Sequence, residues 1–119
     1  MNKTYKSEDR IQQECYMWFW NTYPEYRGLL FAVPNGGGRS ALEGKILKMT
    51  GVYAGVSDML LMVDTETHCF ELKTEIGRQS DKQHAWQRKV EREGFKYYLI
   101  RTLLDFQDIV IPIMKKVGL

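Results

Sequence analysis

A chain of 119 residues with 44% hydrophobic and 27% charged side chains is long enough to bury one core and too short for two, so it reads as a single globular domain over 1–119. No run of about 18 apolar residues offers a membrane span, and the N-terminal MNKTYKSEDR lacks the apolar centre of a secretory signal; the expected setting is the cytoplasm. A net charge of +2 is only mildly basic, so any affinity for nucleic acid has to come from local clusters of Lys and Arg. Cys15 and Cys69 are too few for a disulfide framework and lack zinc-ligand spacing, which predicts two reduced, buried thiols.

In chain order, Ser7 to about Tyr23 has a helical pattern, with Ser7 as N-cap, acids in the first turn and Pro24 as the stop. Leu29–Val33 reads as a short buried strand. The glycine-rich PNGGGRS follows, in which Ser40 is placed to cap a helix running to about Thr50, with Gly51 at its end. Ser57–Val63 and His68–Thr74 read as strands of an antiparallel hairpin joined across DTET. Glu75–Gln79 is a loop, Ser80–Glu93 a polar helix closed by Gly94, and Phe95–Arg101 a fourth strand. Thr102 caps a last helix that Pro112 is expected to shorten or kink. The order α-β-α-β-β-α-β-α predicts an α/β fold in which a mixed four-stranded sheet is flanked by helices.

The segment GVSDMLLMVDTETHCFELKT, Gly55–Thr74, carries charges where buried strands usually exclude them. Side chains two apart on a strand share a face, so Glu71 and Lys73 lie together while Phe70 and Leu72 pack on the other side. If the hairpin pairs as drawn, Asp58 sits beside them. Two converging carboxylates repel one another, and a hard divalent cation such as Mg²⁺ turns that repulsion into binding, with waters completing the shell. An ammonium next to such a shell can align or deprotonate a water there, or neutralise charge developing on a phosphate. That chemistry is phosphodiester hydrolysis. Isolated E-x-K triplets are common as surface ion pairs worth under about 1 kcal/mol; the ordered context of GVSD, FELK and RQSDKQHAW is what favours a site here.

Those three stretches resemble the PD-(D/E)xK nuclease superfamily, and within it the virus-type replication-repair nuclease (VRR-NUC) group, from the first helix to about Arg101. The resemblance implies a restriction-endonuclease-like core and a Mg²⁺-dependent endodeoxyribonuclease in which Mn²⁺ substitutes. Asp58 and Glu71 match the metal-binding acids, Lys73 the catalytic lysine, Gln83 a helix residue facing the site and Glu14 the first-helix acid. The backbone carbonyl of Leu72 is implied as a further metal ligand. Ser57 departs from the superfamily pattern, which often has proline there and which bears on stiffness rather than ligation. Two assignments keep alternatives open: Gln83 stands three residues after Ser80 and also completes a capping box, and Glu14 also reads as a solvent-facing helix residue. His68 and His84 lack metal-ligand spacing with these carboxylates.

Arg39 in the glycine-rich loop, then Lys45 and Lys48 on the next helix, suit phosphate oxygens, and Arg78 and Lys82, with Arg88 and Lys89, extend a basic surface toward the site. PNGGGRS is not a P-loop, so no nucleotide cofactor is expected. With few elements to read bases, structure recognition ranks above a restriction-type nuclease. The remaining alternative, a non-catalytic DNA-binding or assembly module, is disfavoured by the intact Asp58, Glu71 and Lys73.

Along the first helix, Ile11, Cys15, Tyr16, Trp18, Phe19, Trp20 and Tyr23 spread over roughly 200°, beyond the stripe of about 100° that packing on one sheet requires. Either the first strand and last helix cover the surplus, or a second copy does, and aromatic enrichment favours a twofold homodimer. A dimer with two symmetric sites matches a four-way (Holliday) junction, the substrate associated with stand-alone members of the family resembled. The expected setting is then a bacterial or phage-infected cell and a role in DNA repair.

Overall fold

The computed structural model describes residues 4–34 and 41–118, the side chains of Ala41 and Leu42 excepted. The glycine-rich segment with Arg39 and the Ser40 cap lies outside the described residues. Ser7 starts α1 (Glu8–Thr22) by accepting a hydrogen bond at its hydroxyl from the Arg10 backbone N–H, 3.1 Å. Pro24 does not simply stop it but opens a single 3-10 turn, Pro24–Tyr26. The chain continues through β1 (Leu30–Ala32), α2 (Ala41–Met49), β2 (Met59–Val63), β3 (Glu66–Leu72), α3 (Asp81–Arg92), β4 (Lys96–Ile100) and α4 (Leu103–Lys116). This is the predicted order. The sheet is ordered β1-β2-β3-β4, antiparallel across the first two pairs and parallel between β3 and β4. The parallel pair requires the crossover that α3 provides.

The hairpin is tighter than the DTET reading. Val63 pairs with Glu66, so only Asp64 and Thr65 turn the chain, with φ of 51° and 61°. Two consecutive positive φ values make the turn whose twist matches that of the strands, and glycine or asparagine usually marks it. Here Thr65 pays the steric cost of a β-branched residue with φ above zero, and its hydroxyl donates to the Asp64 carbonyl at 2.6 Å. The strand therefore begins at Glu66 and ends at Leu72, leaving Lys73 just beyond it.

Alternation then sorts the sheet. Leu30, Met59, Leu61, Phe70 and Ile100 are buried in the core with Ile11, Cys15 and Phe19 of α1 and Phe106, Val110 and Met114 of α4. Burial of each such side chain contributes roughly 1.5–3 kcal/mol. Cys69, Glu71 and Tyr97 are on the opposite face, where Trp86 of α3 meets Tyr97 with ring centroids 6.1 Å apart. Both cysteines are free and buried as expected, and burial pushes the Cys15 thiol up to about 12.

The last helix departs from expectation, running unbroken through Pro112 to Lys116. Proline removes one helical hydrogen bond, to the carbonyl four residues back. That carbonyl belongs to Asp108, an exposed residue, so the lost bond falls on the solvent side of the helix, where water can replace it. The same helix covers much of the aromatic surplus of α1: Trp18 packs edge-on against Phe106, 6.0 Å between centroids, and against Tyr23, 5.7 Å. Trp20 and Met17 remain exposed at 37% and 44%. No helix among the described residues is long and apolar enough to cross a membrane.

Candidate active site

Asp58 stands one residue before β2, yet its backbone extends both ladders: its N–H donates to the Phe70 carbonyl at 3.0 Å and its carbonyl accepts from Val33 N–H at 2.8 Å. That fixes its Cα beside β3. Its side chain is held as well, because Oδ2 accepts from the Leu72 N–H at 2.7 Å. Behind it, Ser57 is fully buried, so the position that departs from proline is stiffened by packing.

Glu71 is fully buried, on the sheet face that α3 crosses. Tyr97 Oη donates to its Oε1 at 3.3 Å and Gln83 Nε2 donates to its Oε2 at 3.1 Å. Tyr97 is in turn held by Gln79 Nε2 at 3.1 Å, and Gln79 also reaches Gln87 Oε1 at 2.9 Å. Burial, followed by the adjacent Asp58 carboxylate, raises the Glu71 carboxyl from its ordinary value of 4.5 to about 9, against the opposing pull of Lys73. The same burial and the Glu71 carboxylate push the Tyr97 phenol up. A second negative charge beside Asp58 is therefore strongly disfavoured, and a cation between the two acids would reverse the sign.

Gln83 caps α3 and also contacts Glu71. Its Oε1 accepts from the Ser80 N–H at 2.8 Å while its own N–H donates to Ser80 Oγ at 3.2 Å, a complete capping box. The remaining end of the same amide, Nε2, reaches Glu71.

Lys73 is buried, and its N–H donates to the Ile100 carbonyl at 2.9 Å, one step past the end of β3. Its Nζ lies 4.0 Å from Glu8 Oε2, in the first turn of α1. The loop that follows is fastened by Arg101, whose Nη1 donates to the carbonyls of Thr74 at 2.6 Å and Gly77 at 2.8 Å. A side chain at Gly77 would meet Thr74 Oγ1 at 3.0 Å and Lys73 Cδ at 3.6 Å, so the loop presses closely on the lysine.

The two acids of α1 that bear on the site have different partners. Glu14 pairs with Lys6 at 2.8 Å and with Arg10 at 3.3 Å, and the Lys6 hydrogen bond holds its carboxyl below the usual range. The α1 acid paired with Lys73 is Glu8, almost two turns earlier. Glu8 reads in the sequence as an ordinary first-turn acid complementing the helix dipole, and only the tertiary contact sets it apart. Tyr97, Gln79 and Arg101 also escape a reading by motif; the signal for Tyr97 is that it shares strand parity with the residue opposite Glu71. Lys45, Arg78 and Lys82 are exposed, Lys82 immediately before Gln83. Arg39 lies outside the described residues.

The donor set decides which cation suits the site. Asp58, Glu71 and the peptide oxygen of Leu72 are hard oxygen donors. Among the described residues no group of three or more His, Cys, Asp or Glu side chains forms a metal cage. Mg²⁺ is usually held by one or two carboxylates, with water and substrate phosphate as further ligands, whereas structural zinc demands four protein ligands. The residues present fit Mg²⁺ or Mn²⁺.

No protein-family profile matches the chain, and no curated protein matches it. Among solved structures, a VRR_NUC domain protein superposes with a TM-score of 0.69 at 17% identity, covering 98% of this chain and 89% of that one. With that coverage, this chain folds as a VRR-NUC-like domain.

Proposed function

We propose that the protein is a divalent-metal-dependent DNA endonuclease that hydrolyses phosphodiester bonds at Asp58, Glu71 and Lys73. The observation that carries this reading is Glu71, fully buried against a second carboxylate and two residues from a buried lysine, an arrangement costly for stability alone. Asp58 and Glu71 hold Mg²⁺ or Mn²⁺, with the Leu72 carbonyl as third protein ligand. When bound, the cation supplies Lewis-acid polarisation of a phosphate oxygen and neutralises its charge. Gln83 and Tyr97 fix the two oxygens of Glu71, while Asp58 is oriented by the Leu72 N–H. Lys73 donates toward the reacting phosphate or its attacking water, and Glu8, at 4.0 Å, orients its ammonium. Arg39, Lys45, Arg78 and Lys82 supply phosphate contacts. Phosphate contacts carry no base information, which favours recognition of DNA shape over sequence.

The proposed substrate is branched DNA, four-way junctions in particular, cut by a twofold homodimer. The apolar surface left on α1 after α4 has covered Trp18 includes Met17 and Trp20, and it is the candidate contact between copies. Linear, flapped and four-way DNA incubated with the protein, with and without Mg²⁺ or Mn²⁺, tests the reading. Metal-dependent cleavage favouring the four-way substrate, with a dimer by light scattering, is the expected result. Equal cutting of linear and four-way DNA by a protein that stays monomeric on DNA would overturn the junction assignment.

A further inference from the structure

Beside the acidic pair, the chain from Leu47 to Val56 leans on the start of α3 and encloses a groove. Gly55, at φ +92°, sets the approach: a Cβ there would sit 2.5 Å from the Lys82 carbonyl oxygen. The segment is thereby locked to the helix turn that carries Gln83. One end of the groove, ≈ 360 Å³, reaches Gln83 and Ser80, and the other, ≈ 390 Å³, reaches Trp86 and Lys89. Lys48, Val52, Tyr53, Ala54 and Lys82 line both ends. Tyr53 is 55% exposed yet fixed, since Lys89 Nζ donates to its hydroxyl at 3.1 Å and lies 5.3 Å from its ring centroid. An ordered aromatic ring and apolar walls between cations, opening beside Glu71's partner, differ from a surface that only tracks phosphates. Lysines suffice for a duplex backbone, whereas a stacking ring suits a base whose face is free.

We propose that this groove takes a nucleotide whose base face is exposed, at a flap or at the branch point of a junction, next to the scissile phosphate, with Tyr53 stacking on the base and Lys48 and Lys82 on its phosphates. The inference rests on the nuclease reading and adds what makes a substrate acceptable. Continuous duplex keeps its base faces stacked, whereas a flap or branch point presents one. Tyr53 is then a specificity residue that touches substrate without taking part in the chemistry.

The test is binding of two oligonucleotides, a flapped duplex with 2-aminopurine at the first unpaired position and a fully paired duplex of equal length. The full chain, Tyr53→Ala and Tyr53→Phe are each titrated without metal, and cleavage with Mn²⁺ is measured separately. The expected result is preference for the flap and quenching of 2-aminopurine by the wild type and Tyr53→Phe. Tyr53→Ala loses about tenfold in flap affinity, loses the quench and binds the paired duplex unchanged. Equal binding of both substrates by all three proteins without quenching would overturn the proposal, whether or not DNA is cut. Quenching by the wild type without cleavage of these substrates or of four-way DNA would leave the groove assigned and defeat the nuclease reading instead.

Discussion

Gln83 joins a helix start to a buried acid: one end of its amide caps α3 at Ser80 and the other donates to Glu71 Oε2 at 3.1 Å. The two functions separate by mutation. Ser80→Ala removes the cap hydroxyl and is expected to cost about 1 kcal/mol of stability with a small effect on cleavage. Gln83→Ala is expected to lower cleavage or metal affinity about tenfold or more, as loss of a partner to a metal ligand does. Thermal melts beside initial rates check the split, and the opposite ranking would make Gln83 a cap alone.

Glu71 gives a pH dependence with a definite sign. Its carboxyl is raised from 4.5 to about 9, so the folded, metal-free state holds the proton more tightly than the unfolded chain. The stability from this group is full below its ordinary value and is lost as pH rises toward about 9. In chelator, melting temperature should fall across that window in the wild type and much less in Glu71→Gln. The variant should be the more stable by about 1 kcal/mol or more near the upper end, a few degrees in a domain of this size. Mg²⁺ or Mn²⁺ should flatten the wild-type slope, because a bound cation favours the carboxylate.

The two acids of α1 should behave differently. Glu8→Ala removes the carboxylate 4.0 Å from Lys73 Nζ and is expected to reduce cleavage several-fold. Glu14→Ala removes pairs with Lys6 and Arg10, should change stability little because exposed ion pairs contribute little, and should leave cleavage unchanged. A cleavage defect confined to Glu14→Ala would restore that residue as the first-helix acid of the site.

Binding through phosphates makes affinity fall with salt, and each contact removed makes the log–log slope shallower by about one. Arg78→Ala and Lys45→Ala are each expected to show that change equally on linear and branched DNA, and Lys82→Ala chiefly on branched DNA. A variant with unchanged slope and affinity is off the binding surface.

The order of elements was legible because the punctuation is local. Ser7, Ser80 and Thr102 each accept an N-cap hydrogen bond where their positions predict one, and the hydrophobic runs alternate at strand period. The proximity of Asp58 to Glu71 was legible too, since an antiparallel hairpin brings the start of one strand beside the end of the next. The two-residue turn was missed because a β-branched residue, Thr65, stands where glycine usually follows Asp in such a turn, and the unbroken α4 because packing of Phe106, Val110 and Met114 outweighs one proline. Glu8 and Arg101 were out of reach for a different reason. Each acts on a segment more than twenty residues away, and no local pattern encodes such a pairing.

The central claim is that Lys73 serves the chemistry of phosphodiester cleavage at a metal held by Asp58 and Glu71. Its most direct measurement is single-turnover cleavage of four-way DNA by Lys73→Ala in Mg²⁺, with DNA affinity determined on the same preparation. Loss of an electrostatic catalytic group lowers the rate by about a hundredfold or more, roughly 3 kcal/mol of barrier. The account predicts that loss at wild-type DNA affinity; cleavage by Lys73→Ala at the wild-type rate would contradict it.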